Sequence, residues 1–149
     1  MSSLSELSSA AQRSVVESSP YTALLKFSNC NTVRTSRGNT KHSVVSMRKV
    51  IFDYLNQTKN LATALKRSTL KQTVDEVYKY VYSHYQYKAD GELQQLRSPE
   101  CSFAERFNGI DCKNYSILAS SILLNLGIRN IIRRVKQPDF NSELWTHVY

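Results

Sequence analysis

One thiol in this chain stands where a thiol can do chemistry. Cys112 lies near the start of GIDCKNYSILASSILLNLGI (Gly109–Ile128), which begins as a turn, becomes an apolar helix and stops at a glycine. At a helix start, unpaired backbone N–H groups and the positive end of the helix dipole favour an anion. Such a location favours the thiolate, the nucleophilic form of cysteine. The same N–H groups can stabilise an oxyanion that develops at an attacked carbonyl. The position therefore suits acyl chemistry by a cysteine nucleophile.

A cysteine nucleophile needs a base. His147 lies in LWTHVY (Leu144–Tyr149), the second strand expected after the helix. A helix–strand–turn–strand path returns the chain towards the N-terminal end of the helix, so His147 can face Cys112. His42 falls in a polar linker and His84 on a tyrosine-rich helix, and neither has this relation to Cys112. Read as packing alone, Cys112 would be a small buried hydrophobe and His147 a satisfied strand histidine.

The elements that must position the pair follow from periodicity. From Ser43, taken as an N-cap, Val44, Met47, Val50, Ile51, Tyr54 and Leu55 share one helical face. Another short turn or helix follows over Leu61–Lys66. Thr69 with Gln72, or Thr73 with Glu76, fits a capping box. Val74, Val77, Tyr78, Val81, Tyr82 and Tyr85 then recur at spacings of three and four, predicting an amphipathic helix. Its aromatic wealth is read as core and interface packing, with Tyr85 and Tyr87 as secondary candidates for substrate contact. A glycine turn at Lys88–Glu92 ends it, and Leu96–Asp111 reads as a loop with one helical turn at Ser102–Phe107.

Asp111 is placed to cap the helix of Cys112. Tyr115, Leu118, Ala119, Ile122 and Leu126 form its buried stripe, Ile117 and Leu123 widen it, and Gly127 falls at the C′ position. Ile128–Gln137 and Leu144–Tyr149 read as two strands joined by turn chemistry at Pro138–Glu143. Two strands leave an edge open, which a partner chain or further strands would cover.

Length and composition set the frame. The 149 residues make one domain the default, with 41% hydrophobic and 21% charged residues. No apolar run is long enough to span a membrane, and no secretory signal is apparent. Cys30, Cys101 and Cys112 form no CxxC pair, and no histidine stands at metal-ligand spacing from a cysteine. No metal site and no cofactor is expected, and reduced thiols in a cytosol-like compartment are the simplest reading. Cys101 lacks the helix-start context of Cys112 and is read as structural or loop-exposed.

The net charge of +8 is uneven. Residues 1–70 hold ten Lys/Arg against three Asp/Glu, and residues 71–149 hold ten against nine. Residues 1–42, with ten serines in the first forty, read as a basic arm or linker, and residues 43–149 as the domain. The basic half suits nucleic acid as a partner on charge alone. With no nucleic-acid motif beside it, a solubilising face is the favoured reading.

The segment GIDCKNYSILASSILLNLGI followed by WTHVY resembles the transglutaminase-like superfamily of papain-like cysteine enzymes. That pattern is a glycine, an acidic residue, the nucleophilic cysteine, an aromatic three residues on, and an apolar helix ending in Leu-Gly-Ile. Here these are Gly109, Asp111, Cys112, Tyr115 and Leu126-Gly127-Ile128, with His147 matching the family histidine. The upstream LRSPECSFAERFNG resembles the approach loop of short transglutaminase-like proteins of bacteria and their phages. The resemblance covers about residues 70–149. Ile110 is an insertion in the usual Gly-Asp-Cys. The family's third group, an Asp or Asn on the strand after the histidine, has no counterpart up to Tyr149. Asp139, Asn141 and Glu143 precede the histidine and match no family position.

The resemblance implies an α+β fold with a transglutaminase-like, papain-like core, mostly helical, with a small and incomplete antiparallel sheet at its C-terminal end. It implies cysteine-dependent acyl transfer or amide hydrolysis of a protein or peptide by Cys112 and His147, in a bacterial cytoplasm or a virion. The alternative is a catalytically incomplete fold serving as a structural or accessory protein of a phage particle.

Overall fold

The computed structural model describes residues 12–26, 30–35, 40–90, 94–137, 139 and 142–149. The fold is α+β, and the described residues form helices around a central helix and two small antiparallel sheets. In chain order these are β1 (Thr32–Thr35), α1 (Thr40–Asp53), α2 (Lys59–Leu65), α3 (Leu70–His84), β2 (Gln94–Arg97), α4 (Pro99–Ala104), α5 (Cys112–Asn125), β3 (Arg134–Gln137) and β4 (Ser142–Val148). β1 pairs with β2, Val33 opposite Leu96. β3 pairs with β4, Val135 opposite His147, with a bulge between Val135 and Lys136. Among the described residues no helix is long and apolar enough to cross a membrane.

Helix α5 is the axis of the molecule. Leu118 and Ile122 enter one apolar cluster with Leu61, Leu65, Tyr80 and Phe103. Ile117 enters another with Met47, Val50, Leu96 and Val148. Of the expected stripe Leu118 and Ile122 are buried, Tyr115, Ala119 and Leu126 are half-buried, and Ser116, Ser120 and Ser121 are buried as well. Their hydroxyls are satisfied locally, Ser116 on the Cys112 carbonyl at 2.9 Å and Ser121 on that of Ile117 at 2.7 Å. Ser120 donates to Asn130 at 2.6 Å. The helix ends as expected: Gly127 has φ +72°, Gly127 N–H bonds Leu124 O, and Ile128 N–H bonds Leu123 O.

Several expectations need correction. Ser43 is not an N-cap, since α1 begins at Thr40 and Ser43 is buried inside it. Thr69, rather than Thr73, caps α3 through the Gln72 N–H at 3.2 Å. The region expected as a loop holds β2 and α4, the latter capped by Ser98 and started by Pro99. The first strand after α5 is shorter than expected, Arg134–Gln137. The expected turns at Lys88–Glu92 and Pro138–Glu143 lie partly outside the described residues.

Within residues 1–42, expected as an arm or linker, the described segments pack on the rest of the chain. Residues 1–11 lie outside the described residues, but Leu25 is buried in the core, and β1 belongs to a sheet with β2. Residues 13–21 run along α3: Val16 N–H bonds Ser83 O at 2.9 Å, and Tyr21 packs edge-on against Tyr80. The cysteines differ as well. Cys30 and Cys101 are joined as a disulfide, and Cys101 is buried in α4 rather than loop-exposed. A bridge thus stands where reduced thiols were expected at Cys30 and Cys101. One reactive thiol per chain is expected in urea without reductant, and three with reductant. Three in both conditions would show the bridge does not form. Reduction is expected to cost about 2–4 kcal/mol of stability, because the bridge spans 71 residues.

His84 anchors this N-terminal run. Its Nδ1–H donates to Tyr80 O at 3.0 Å, and its Nε2 accepts from Ser19 Oγ at 2.7 Å, which suits the neutral ring. Burial holds its pKa below the ordinary histidine value, outweighing the Tyr80 hydrogen bond. The unfolded chain therefore takes up this proton first as pH falls. The contribution of His84 is complete above about pH 6.5 and is lost progressively below it. Thermal melts at pH 7.5 and 5.5 should show this loss, and His84→Asn should reduce it. An unchanged difference in the variant would exclude His84 as its source.

Candidate active site

Cys112 is the first residue of α5 and is half-buried. Asp111 is its N-cap, with φ −92° and ψ 179°, and its Oδ1 accepts the Asn114 N–H at 3.2 Å and the Asn114 Nδ2 at 2.9 Å. Among the described residues, the N–H groups of Cys112 and Lys113 meet no acceptor. They are the donors available to an oxyanion at the sulfur.

The approach to α5 is held by backbone. Ile110 forms a parallel bridge with Tyr87: Ile110 N–H bonds Gln86 O at 2.9 Å, and Lys88 N–H bonds Ile110 O at 3.1 Å. Gly109 makes the preceding turn with φ +108°. Ile110 is thus the residue that stitches the helix start to the segment following α3.

Lys113 does not offer free positive charge to the thiol. It is buried, pairs with Asp111, donates to Gln94 at 2.5 Å and lies 3.8 Å from Asp90. Burial lowers its pKa and outweighs Asp90, which raises it. The side chain ties the helix start to β2 and to Asp90. Any anion bias at Cys112 rests on the backbone donors.

His147 lies on β4, half-buried, beside the ring of Tyr149 at a centroid distance of 6.5 Å. Cys112 and His147 both line one open cleft of about 560 Å³. The other histidines are elsewhere: His84 is in the core, and His42 is in the first turn of α1. Among the described residues the His147 ring has no hydrogen-bond partner. Asp139 and Glu143 are exposed on the β3–β4 side, and Asn141 lies outside the described residues.

The cleft also contains residues that sequence reasoning did not select. Tyr78 and Tyr82, read as the core face of α3, are 66% and 49% exposed and line the cleft. The buried face is Thr73, Val77, Tyr80, Val81 and His84. Of the two secondary candidates, Tyr85 is wholly buried and its hydroxyl meets that of Tyr80 at 3.0 Å. Tyr87 lines the cleft. Burial first, and the neighbouring Cys112 second, push the Tyr87 hydroxyl above its ordinary pKa, so it stays a neutral O–H. Burial likewise pushes Tyr115 up to about 12, with Arg13 opposing. A spacing of four between Tyr78 and Tyr82, and their polar tips, were the available signals.

Among the described residues no cluster of metal-ligating side chains occurs. No protein-family model, no curated protein and no solved structure matches this chain.

Proposed function

We propose that this chain is a transglutaminase-like module performing cysteine-dependent acyl transfer or amide hydrolysis. What supports the reading is one juxtaposition: Cys112, at the first turn of a buried helix, and His147, on a strand 35 residues later, line the same cleft. In the proposed reaction the Cys112 sulfur bonds the carbonyl carbon of an amide. The thiol proton passes to His147 and on to the departing amine. Water then cleaves the thioester in hydrolysis, or a second amine does so in crosslinking. The substrate is a protein or peptide.

Alkylation by iodoacetamide tests this. With Cys30 and Cys101 bridged, Cys112 is the thiol that reacts. At pH 7 the folded chain is expected to react about ten times faster than the urea-unfolded chain, and Cys112→Ser not at all. Slower reaction in the folded state would overturn the proposal.

A second reading has its own observation. Among the described residues no group orients the His147 ring, and an unoriented base is a poor one. On that reading the chain is a non-catalytic structural or accessory component of a phage particle, and Cys112 is inert.

A further inference from the structure

The cleft is more aromatic than acyl transfer requires. Tyr78 and Tyr82 stack at 5.8 Å, and Tyr87 and Tyr115 at 6.2 Å, and both pairs line it. Tyr149, 57% exposed, adds a fifth ring. Aromatic surface left open to water and gathered round one cleft marks a binding site more than a folding requirement.

The charge in the cleft is one-sided. Among the described residues no carboxylate side chain lines it, and Arg13 supplies a fixed cation. Arg13 is held firmly: its N–H donates to Gln86 Oε1 at 3.4 Å, and its carbonyl accepts from Gln86 Nε2 at 3.2 Å. Its Nη2 donates to Tyr85 O at 3.2 Å and to the Tyr115 hydroxyl at 3.1 Å, while the guanidinium lies 3.9 Å from the Tyr82 ring centroid. Among the described residues, Nη1 and Nε have no partner and no carboxylate pairs with Arg13. A guanidinium edge so placed is matched by a carboxylate.

We propose that this cleft binds a peptide segment in which an aromatic side chain adjoins a carboxylate, the ring against the tyrosine pairs and the carboxylate on Arg13. The choice of a peptide rests on the acyl-transfer reading. The choice of a carboxylate over a phosphodiester chain rests on Arg13 being the single fixed cation among the described lining residues, since a nucleic acid would call for several.

The test uses the full chain carrying Cys112→Ser and the fluorescence anisotropy of labelled tetrapeptides. Gly-Glu-Phe-Gly is expected to bind about tenfold tighter than Gly-Gln-Phe-Gly, and about tenfold tighter than Gly-Glu-Ala-Gly. In Arg13→Gln the Glu/Gln distinction should vanish while the Phe/Ala distinction persists. If that variant does not fold, the peptide series on the chain with Arg13 intact decides alone. Equal binding of the Glu and Gln peptides overturns the proposal, as does tighter binding of an oligothymidylate. Carboxylate-dependent binding alongside an inert Cys112 would overturn the catalytic reading and leave this assignment standing. A reactive Cys112 with no carboxylate-dependent binding would do the reverse.

Discussion

Replacing His147 with alanine is expected to lower thioester formation by about 10²–10⁴-fold, the usual contribution of a positioned acid–base group. A p-nitrophenyl ester of N-acetylphenylalanine gives a direct readout, with Cys112→Ala as the blank. The substitution should leave the fold intact, because it is Val148, not His147, that enters the apolar cluster packed against α5. His147 is half-buried and faces the cleft, so truncation opens the site rather than the core. Added imidazole separates a chemical role from a structural one. If His147 carries the proton, imidazole should restore part of the lost rate in His147→Ala and none in Cys112→Ala. An unchanged rate in His147→Ala would remove this histidine from the mechanism.

The second large effect is expected at Gly109. Its φ of +108° is a conformation L side chains rarely adopt. A Cβ built there would stand 2.5 Å from Lys88 Cβ and 3.0 Å from Lys88 N. Neither atom is the far end of a flexible side chain, so the backbone must move. That backbone is the Tyr87–Ile110 bridge leading into α5. Gly109→Ala is therefore expected to cost about 3 kcal/mol or more, the upper end for local backbone strain, and to shift the helix start. Gly127→Ala is the control. Gly127 has φ +72° but open space around it, so the cost should stay at about 1–2 kcal/mol. Urea denaturation of the two variants settles the comparison. Equal losses would mean that the contact with Lys88 carries no weight. Alkylation of Cys112 should also slow in Gly109→Ala alone.

Features governed by near neighbours in the chain were legible. Asp111 as cap, Cys112 as first helical residue and Gly127 as the left-handed terminator all depend on bonds between residues three to five apart. The strand pair carrying His147 was legible for the same reason, from β-branched composition on either side of a turn. Helix α3 shows where such reading fails. Its periodicity was correct, but the buried face is set by Thr73, Val77, Tyr80 and His84, about one residue round from the expected one. Tyrosine suits either environment, so the pattern could not tell core rings from cleft rings.

The amino-acid sequence by itself determined where the thiol stands on its helix, and that a histidine strand follows. Only the tertiary structure decided that both line one cleft, that Tyr78, Tyr82 and Tyr87 join them, and that Arg13 reaches across from the N-terminal run. It alone joined Cys30 to Cys101 across 71 residues. The physical reason is range. Caps and helix ends are closed by adjacent backbone, whereas clefts and bridges depend on which distant surfaces exclude water together.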